Sequence, residues 1–259
     1  MAADDRSLES LLLFWKEAGV EAALAEAPVD RTLSPARRGP GVQPSSPSAI
    51  SVTAGVQQTV ELARKAATLA RDLGELERAI GDFEGCPLRE QGARQAVFAR
   101  GAPEAAVMVI GEAPGGEEDL KGAPFVGRAG QLLDRMFAAA GLEGRVFITN
   151  TVYWRPPGNR TPTLAEQQVC APFLHRSIEL IGPRLLLLVG AAASTAMLGA
   201  KAGILALRGR WFSWRSGDGA VEIPALPTLH PAFLLRTPSA KKLAWSDLLL
   251  LAEKLEEFG

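Results

Sequence analysis

The chain has 259 residues, nearly half of them apolar, and a formal net charge of −1. That length buries one full core with a smaller appendage, and the even charge balance argues neither for nor against nucleic acid, because DNA binding needs a local basic surface rather than a basic total. No apolar run approaches the roughly 20 residues of a membrane span, and the opening Met-Ala-Ala-Asp-Asp-Arg lacks the basic-then-apolar order of a secretory signal.

A soluble, cytoplasmic protein is therefore expected. From Leu8 to Ala25, Leu11, Leu12, Trp15, Val20 and Leu24 recur at roughly helical spacing, which predicts an amphipathic helical segment within residues 1–28. Residues 29–51 fill with Pro, Ser, Gly and Arg, a composition that buries too little apolar surface to fold alone. This predicts a linker. A helical stretch follows from about Val52 to Ala79, and the compact part of the remaining domain, residues 52–259, is expected to begin near Cys86. Two cysteines, Cys86 and Cys170, are too few for a disulfide framework and too distant for a zinc motif. By themselves they read as small buried hydrophobes.

Beyond Cys86, apolar runs alternate with helix-length segments: Ala105 to Ile110, Val146 to Asn150, Leu185 to Val189, and Ala225 to Leu229. Continuous runs bounded by Gly or Pro predict parallel strands covered on both faces, hence an α/β class, three-layer α/β/α, with a mostly parallel four-stranded sheet. Ligands of such sheets sit beyond the carboxyl ends of the strands. Attention therefore falls on the residues from Gly111, Asn150, Gly190 and His230 onward.

The first run leads into Gly-Glu-Ala-Pro-Gly-Gly-Glu-Glu-Asp, Gly111 to Asp119, and then Pro124-Phe-Val-Gly-Arg-Ala-Gly130. Gly and Pro at this density let a backbone approach a ligand closely, but the Gly-Lys-Ser/Thr ending of a triphosphate-binding loop is absent. Thr149-Asn150 closes the second run, Arg155-Pro-Pro-Gly-Asn-Arg160-Thr-Pro follows it, and His230-Pro-Ala-Phe-Leu-Leu-Arg236 follows the fourth. Basic residues Arg155, Arg160, Arg236, Lys241 and Lys242 gather beside these motifs.

Taken in this order, the five motifs resemble those of family 4 uracil-DNA glycosylases, over about Cys86 to Trp245. The resemblance implies DNA repair by hydrolysis of the N-glycosidic bond of a uracil flipped out of DNA, leaving an abasic site. Phe125 would stack on the flipped base, or is simply core. Asn150 would accept from uracil N3–H and donate to O4, a pattern that cytosine reverses; otherwise it is a strand cap. His230 would donate to O2 as negative charge develops there, whereas His175, inside a helix, reads as structural. Glu112 is the first choice for orienting the water or stabilising the cationic sugar. Glu118 and Asp119 either border C5 of the base and help exclude thymine, or are helix N-terminal charges. Ala113 and Gly115 would line the base site. Arg155, Arg160 and Arg236 would contact DNA, with Leu234 and Leu235 as a wedge; a packed loop with a surface Arg is the alternative.

Family 4 proteins resemble one another in a [4Fe-4S] cluster held by four cysteines, which here map to Phe83, Cys86, Trp154 and Cys170. Two ligands are replaced by aromatic residues, so the cluster is expected to be lost and no cofactor is expected, with Phe83 and Trp154 filling its volume. Ala232 stands where many relatives carry Ser. Two other readings stay open: a non-catalytic module that binds damaged or abasic DNA on the same fold, and a glycosylase for another deaminated base. A monomer suffices for all three, and the N-terminal segment would offer a docking point for a repair or replication partner.

Overall fold

The computed structural model describes residues 49–217 and 219–258. The expected helical segment at 1–28 and most of the 29–51 linker lie outside the described residues. Among the described residues three helices come first: α1 (Ala49–Leu69), α2 (Leu73–Asp82) and the single turn α3 (Pro87–Glu90). Helix α1 begins inside the expected linker, where Pro gives way to Ala, Ile and Val. The helical stretch expected over 52–79 divides after Leu69, because Asp72 caps a new start by accepting the Glu75 N–H at 2.7 Å. Arg176 closes the carboxyl end of α1, donating from Nε and Nη2 to the Ala70 carbonyl at 3.0 and 2.9 Å. Since Ala63, Ala67, Leu76 and Ile80 are buried in the main core, the folded unit starts well before Cys86.

The rest alternates strand and helix: β1 (Ala99–Gly101), β2 (Val107–Gly111), α4 (Gly116–Lys121), α5 (Arg128–Ala139), β3 (Val146–Asn150), α6 (Leu164–Ile181), β4 (Leu185–Val189), α7 (Ala191–Leu198), α8 (Ile204–Leu207), β5 (Phe212–Arg215), β6 (Glu222–Thr228), α9 (Pro231–Arg236) and α10 (Lys241–Glu256). The sheet order is β1-β3-β2-β4-β6-β5. Its inner four strands are parallel and are the four expected from the apolar runs. Two antiparallel edge strands, β1 and β5, enlarge the expected sheet to six.

Period-two alternation divides each inner strand between two cores. Met108, Ile110, Phe147, Leu186, Leu188 and Ala225 face α1, α2 and α6. Val107, Val109, Val146, Ile148, Leu185, Leu187, Val189 and Leu226 face α5 and α10 through Leu133, Phe137, Leu248, Leu251 and Leu255. This is the expected three-layer α/β/α arrangement. The chain reverses direction across the sheet at β2, which has β3 on one side and β4 on the other. The strand ends at Gly111 and Asn150 are side by side in register, so the crevice forms where such sheets place ligands.

A buried polar network anchors the last strand. Asp247 of α10 is fully buried and accepts from Thr228 Oγ1 at 2.7 Å and from Arg208 Nε at 3.0 Å, while Arg208 also donates to the Leu243 carbonyl at 2.7 Å. Removing one partner strands a buried charge, which costs about 3–5 kcal/mol. Asp247→Ala is therefore expected to lower unfolding free energy by about that amount in denaturant titration; a loss under about 1 kcal/mol would show that the network is incidental.

Candidate active site

The loops after β2, β3 and β6 enclose a cavity of about 580 Å³ lined by Glu112, Ala113, Gly115, Glu118, Phe125, Arg160, His230 and Arg236, among others. Eight residues singled out in the sequence thus meet in one place. Asn150 stands behind the lining, 2% exposed at the end of β3. Its Nδ2 is buried with no hydrogen-bond partner among the described residues. Such a donor costs about 1–3 kcal/mol when left unsatisfied, so the fold retains it against stability.

Gly111 explains how Asn150 and Phe125 come together. A Cβ at Gly111 would lie 2.4 Å from Asn150 Oδ1 and 2.5 Å from the Phe125 ring, so only glycine lets both side chains crowd the end of β2. Phe125 holds a positive φ of 53°, unusual for an aromatic residue. That conformation seats its carbonyl on α5, where a Cβ at Gly130 would come within 1.7 Å of it. Its ring centroid lies 5.7 Å from that of His230, with the planes tilted by 31°.

His230 caps α9 and its tautomer is fixed by that cap. Nδ1 accepts the Ala232 N–H at 3.2 Å, which leaves the proton of the neutral ring on Nε2. Burial, reinforced by Arg236, pushes the imidazole down to about 4. The ring is therefore a neutral donor at physiological pH.

Glu112 presents its side chain to the cavity while its carbonyl accepts the Thr151 hydroxyl at 2.6 Å, pinning the β2 loop to the β3 loop. Glu118, the second catalytic candidate, is engaged otherwise. Oε2 accepts the Gly115 N–H at 3.1 Å, and Oε1 accepts the Val126 and Gly127 N–H groups, both at 3.0 Å. Its oxygens are occupied in tying the Gly111–Gly116 loop to the Phe125 loop at the start of α5. These bonds give Glu118 a positioning role in the loops that line the cavity. Asp119 is buried and turned away, accepting the Arg94 N–H at 2.8 Å. Charge-assisted hydrogen bonds contribute about 1.5–3 kcal/mol each. Glu118→Gln, which turns one acceptor into a donor against N–H groups, is expected to lower kcat/KM by roughly 10- to 100-fold by loosening both loops; unchanged kinetics would refute the positioning role.

The expected DNA-contacting residues separate. Arg236 and Leu235 are exposed at the end of α9, and Lys241 and Lys242 are exposed at the start of α10. Leu234 is not available as a wedge: it is fully buried against Leu132, Leu229, Ala240 and Ala244, because helical periodicity turns it inward when Leu235 faces out. Arg155 is half-buried, donating to Asn159 Oδ1 at 2.7 Å. Arg160 makes a bidentate pair with Glu166 at 2.7 and 2.8 Å and reaches Gln91 at 3.2 Å. It holds the Glu166 carboxyl below the usual range and acts as a rim buttress. His175 meets Trp214 edge-on at 5.5 Å, and burial lowers its pKa, in keeping with a structural residue.

The stretch from residue 98 to 249 matches the family model of the Uracil DNA glycosylase superfamily. This chain belongs to that superfamily. Several similar proteins are type-4 uracil-DNA glycosylases. The type-4 uracil-DNA glycosylase of Pyrobaculum aerophilum is 39% identical over 175 residues, 66% of this chain and 88% of the relative. Those of Sulfurisphaera tokodaii and Thermotoga maritima are 42% and 40% identical, covering 59% and 60% of this chain and 71% and 78% of theirs. The stretch matched by the family model spans every cavity motif and the whole sheet.

The resemblance to family 4 assigns the positions of a [4Fe-4S] cluster to Phe83, Cys86, Trp154 and Cys170. All four side chains join the same buried cluster, Phe83 at its margin. Cys86 Sγ and Cys170 Sγ are 3.9 Å apart, Phe83 meets Phe173 edge-on at 5.2 Å, and Trp154 is 2% exposed. Such a cluster takes four thiolates, and the chain has two cysteines in all. Among the described residues no group of three or more His, Cys, Asp or Glu stands close enough to hold a metal. The donor set does not fit the cluster.

Proposed function

We propose that this chain removes uracil from DNA as a monofunctional N-glycosyl hydrolase, acting without a cluster. The observation that carries the reading is Asn150: a buried amide with an unpartnered Nδ2 beside Phe125, in a member of the uracil-DNA glycosylase superfamily. Uracil supplies the missing partner, its O4 accepting from Nδ2 and its N3–H donating to Oδ1. Phe125 provides the stacking face, worth on the order of 1–3 kcal/mol, which offsets part of the unstacking cost of flipping.

Bond cleavage places the C1′–N1 electron pair on the uracil ring, with charge building at O2. The Nε2–H of His230 meets that charge as a preorganised neutral donor. Glu112 orients the water that attacks C1′ and takes its proton, giving free uracil and an abasic deoxyribose. Arg236, Lys241, Lys242 and Leu235 form the DNA-facing edge. Among the described residues no helix is long and apolar enough to cross a membrane, and we place the protein in the cytoplasm with its DNA substrate.

Product analysis tests the reaction class. Free uracil released from a uracil-containing oligonucleotide is the expected product, and a released nucleotide would overturn it. A cluster-free protein is expected to carry no stoichiometric iron and no absorbance near 400 nm.

A further inference from the structure

We propose that Cys86 and Cys170 form an oxidation site, closing to an intramolecular disulfide that takes over the covalent tie a cluster would provide between α3 and α6. The two Sγ atoms are 3.9 Å apart in van der Waals contact and both side chains are fully buried. A disulfide needs a further approach of about 2 Å. Nothing stands between the sulfurs, and α3 is a single turn whose end residues Pro87 and Glu90 are exposed. Its local opening admits a small oxidant without disturbing the sheet.

The two thiols are placed unequally. Cys86 is the N-cap of the single turn α3, the element whose opening admits oxidant, whereas Cys170 lies within the long helix α6. Cys86 is therefore the thiol oxidised first and Cys170 the resolving thiol. With hydrogen peroxide as oxidant, the Cys86 thiolate attacks one oxygen, the O–O bond breaks, and hydroxide leaves to become water, giving a sulfenic acid. The Cys170 sulfur then attacks the Cys86 sulfur, the S–O bond breaks, and water departs with the Cys170 proton. The thiols lose two electrons and peroxide gains two.

The tie has a place in the site's architecture. Glu166 lies one helical turn before Cys170, and Gln91 is the C-cap of α3. These two residues hold Arg160 at the cavity rim, at 2.7 and 3.2 Å. The disulfide would join, from behind, the two elements that buttress Arg160.

The test is peroxide treatment of the reduced full-length chain, followed by denaturation with an alkylating reagent, intact mass and peptide mapping. The expected result is a loss of about 2 Da, no alkylation, and a linked Cys86–Cys170 peptide. Tm is expected to rise by roughly 10 °C, reversibly with a thiol reductant, because the bond closes a loop of 84 residues. Alkylation of both thiols after treatment, or oxygen adducts without a link, would overturn the proposal. So would the same Tm gain in Cys170→Ser. These readouts need no substrate, so the proposal stands or falls apart from the glycosylase reading.

Discussion

His230→Ala is expected to reduce kcat for uracil excision by roughly 10²–10³, the loss that follows removal of a donor aimed at developing negative charge. KM should change little, because the hydrogen bond strengthens only as charge moves onto O2. The structure specifies how the donor works. The Ala232 N–H occupies Nδ1 at 3.2 Å, so the proton resides on Nε2, and burial with Arg236 nearby holds the ring down to about 4. Catalysis should therefore show no His-like limb between pH 5 and 8, and His230→Gln, which keeps an N–H donor, should recover part of the lost rate.

The same shift makes a stability prediction. Unfolded, the imidazole takes a proton near 6.5; folded, it resists until about 4. Between these values the unfolded chain binds more protons, so the contribution is complete above pH 6.5 and is lost as pH falls toward 4. The shift corresponds to about 3 kcal/mol. Thermal unfolding of wild type should therefore lose more stability than His230→Ala over that window, and parallel curves would contradict the assignment.

Asn150→Ala is expected to divide activity from stability. Two hydrogen bonds to uracil disappear, each worth about 1–3 kcal/mol where the group would otherwise be unsatisfied, so kcat/KM should fall by roughly 10²–10⁴. Stability should not fall with it, because the substitution removes a buried donor that has no partner in the free protein. Tm is expected to equal or exceed that of wild type, by about 2–4 °C for each kcal/mol regained. A residue serving only as a strand cap would show the opposite pattern, with lower Tm and unchanged kinetics.

What was legible in the sequence divides along physical lines. β3 and β4 are continuous apolar runs ended by Asn150 and Gly190, and their bounds agree with the expected ones. Burial on both faces wrote them into the composition. The edge strands β1 and β5 have one paired side each; β1 is only Ala-Arg-Gly, and β5 carries its signal in the two-residue alternation of Phe212 and Trp214. The break before α2 was also present in the chain, as Asp72 three residues ahead of Glu75, but continuous amphipathicity across it concealed the kink.

The site was legible where a motif constrains backbone and side chain together. Gly111, Phe125, Asn150 and His230 depend on one another for space, so the residue types betray the arrangement. Roles that depend on rotation or on partners were not legible. Glu117, Glu118 and Asp119 are three consecutive carboxylates, and only the fold directs Glu118 to three N–H groups and Asp119 to Arg94. Likewise Leu234 and Leu235 differ only in which face of a one-and-a-half-turn helix they occupy.

The central claim is tested most directly by alkaline strand cleavage of an end-labelled oligonucleotide with a single uracil, using wild type, Asn150→Ala and His230→Ala, with cytosine and hypoxanthine controls. Uracil-specific cleavage by wild type that falls sharply in both variants is the predicted result. No cleavage by wild type, together with tight binding to abasic DNA that both substitutions leave unchanged, would make this a recognition protein on a glycosylase fold.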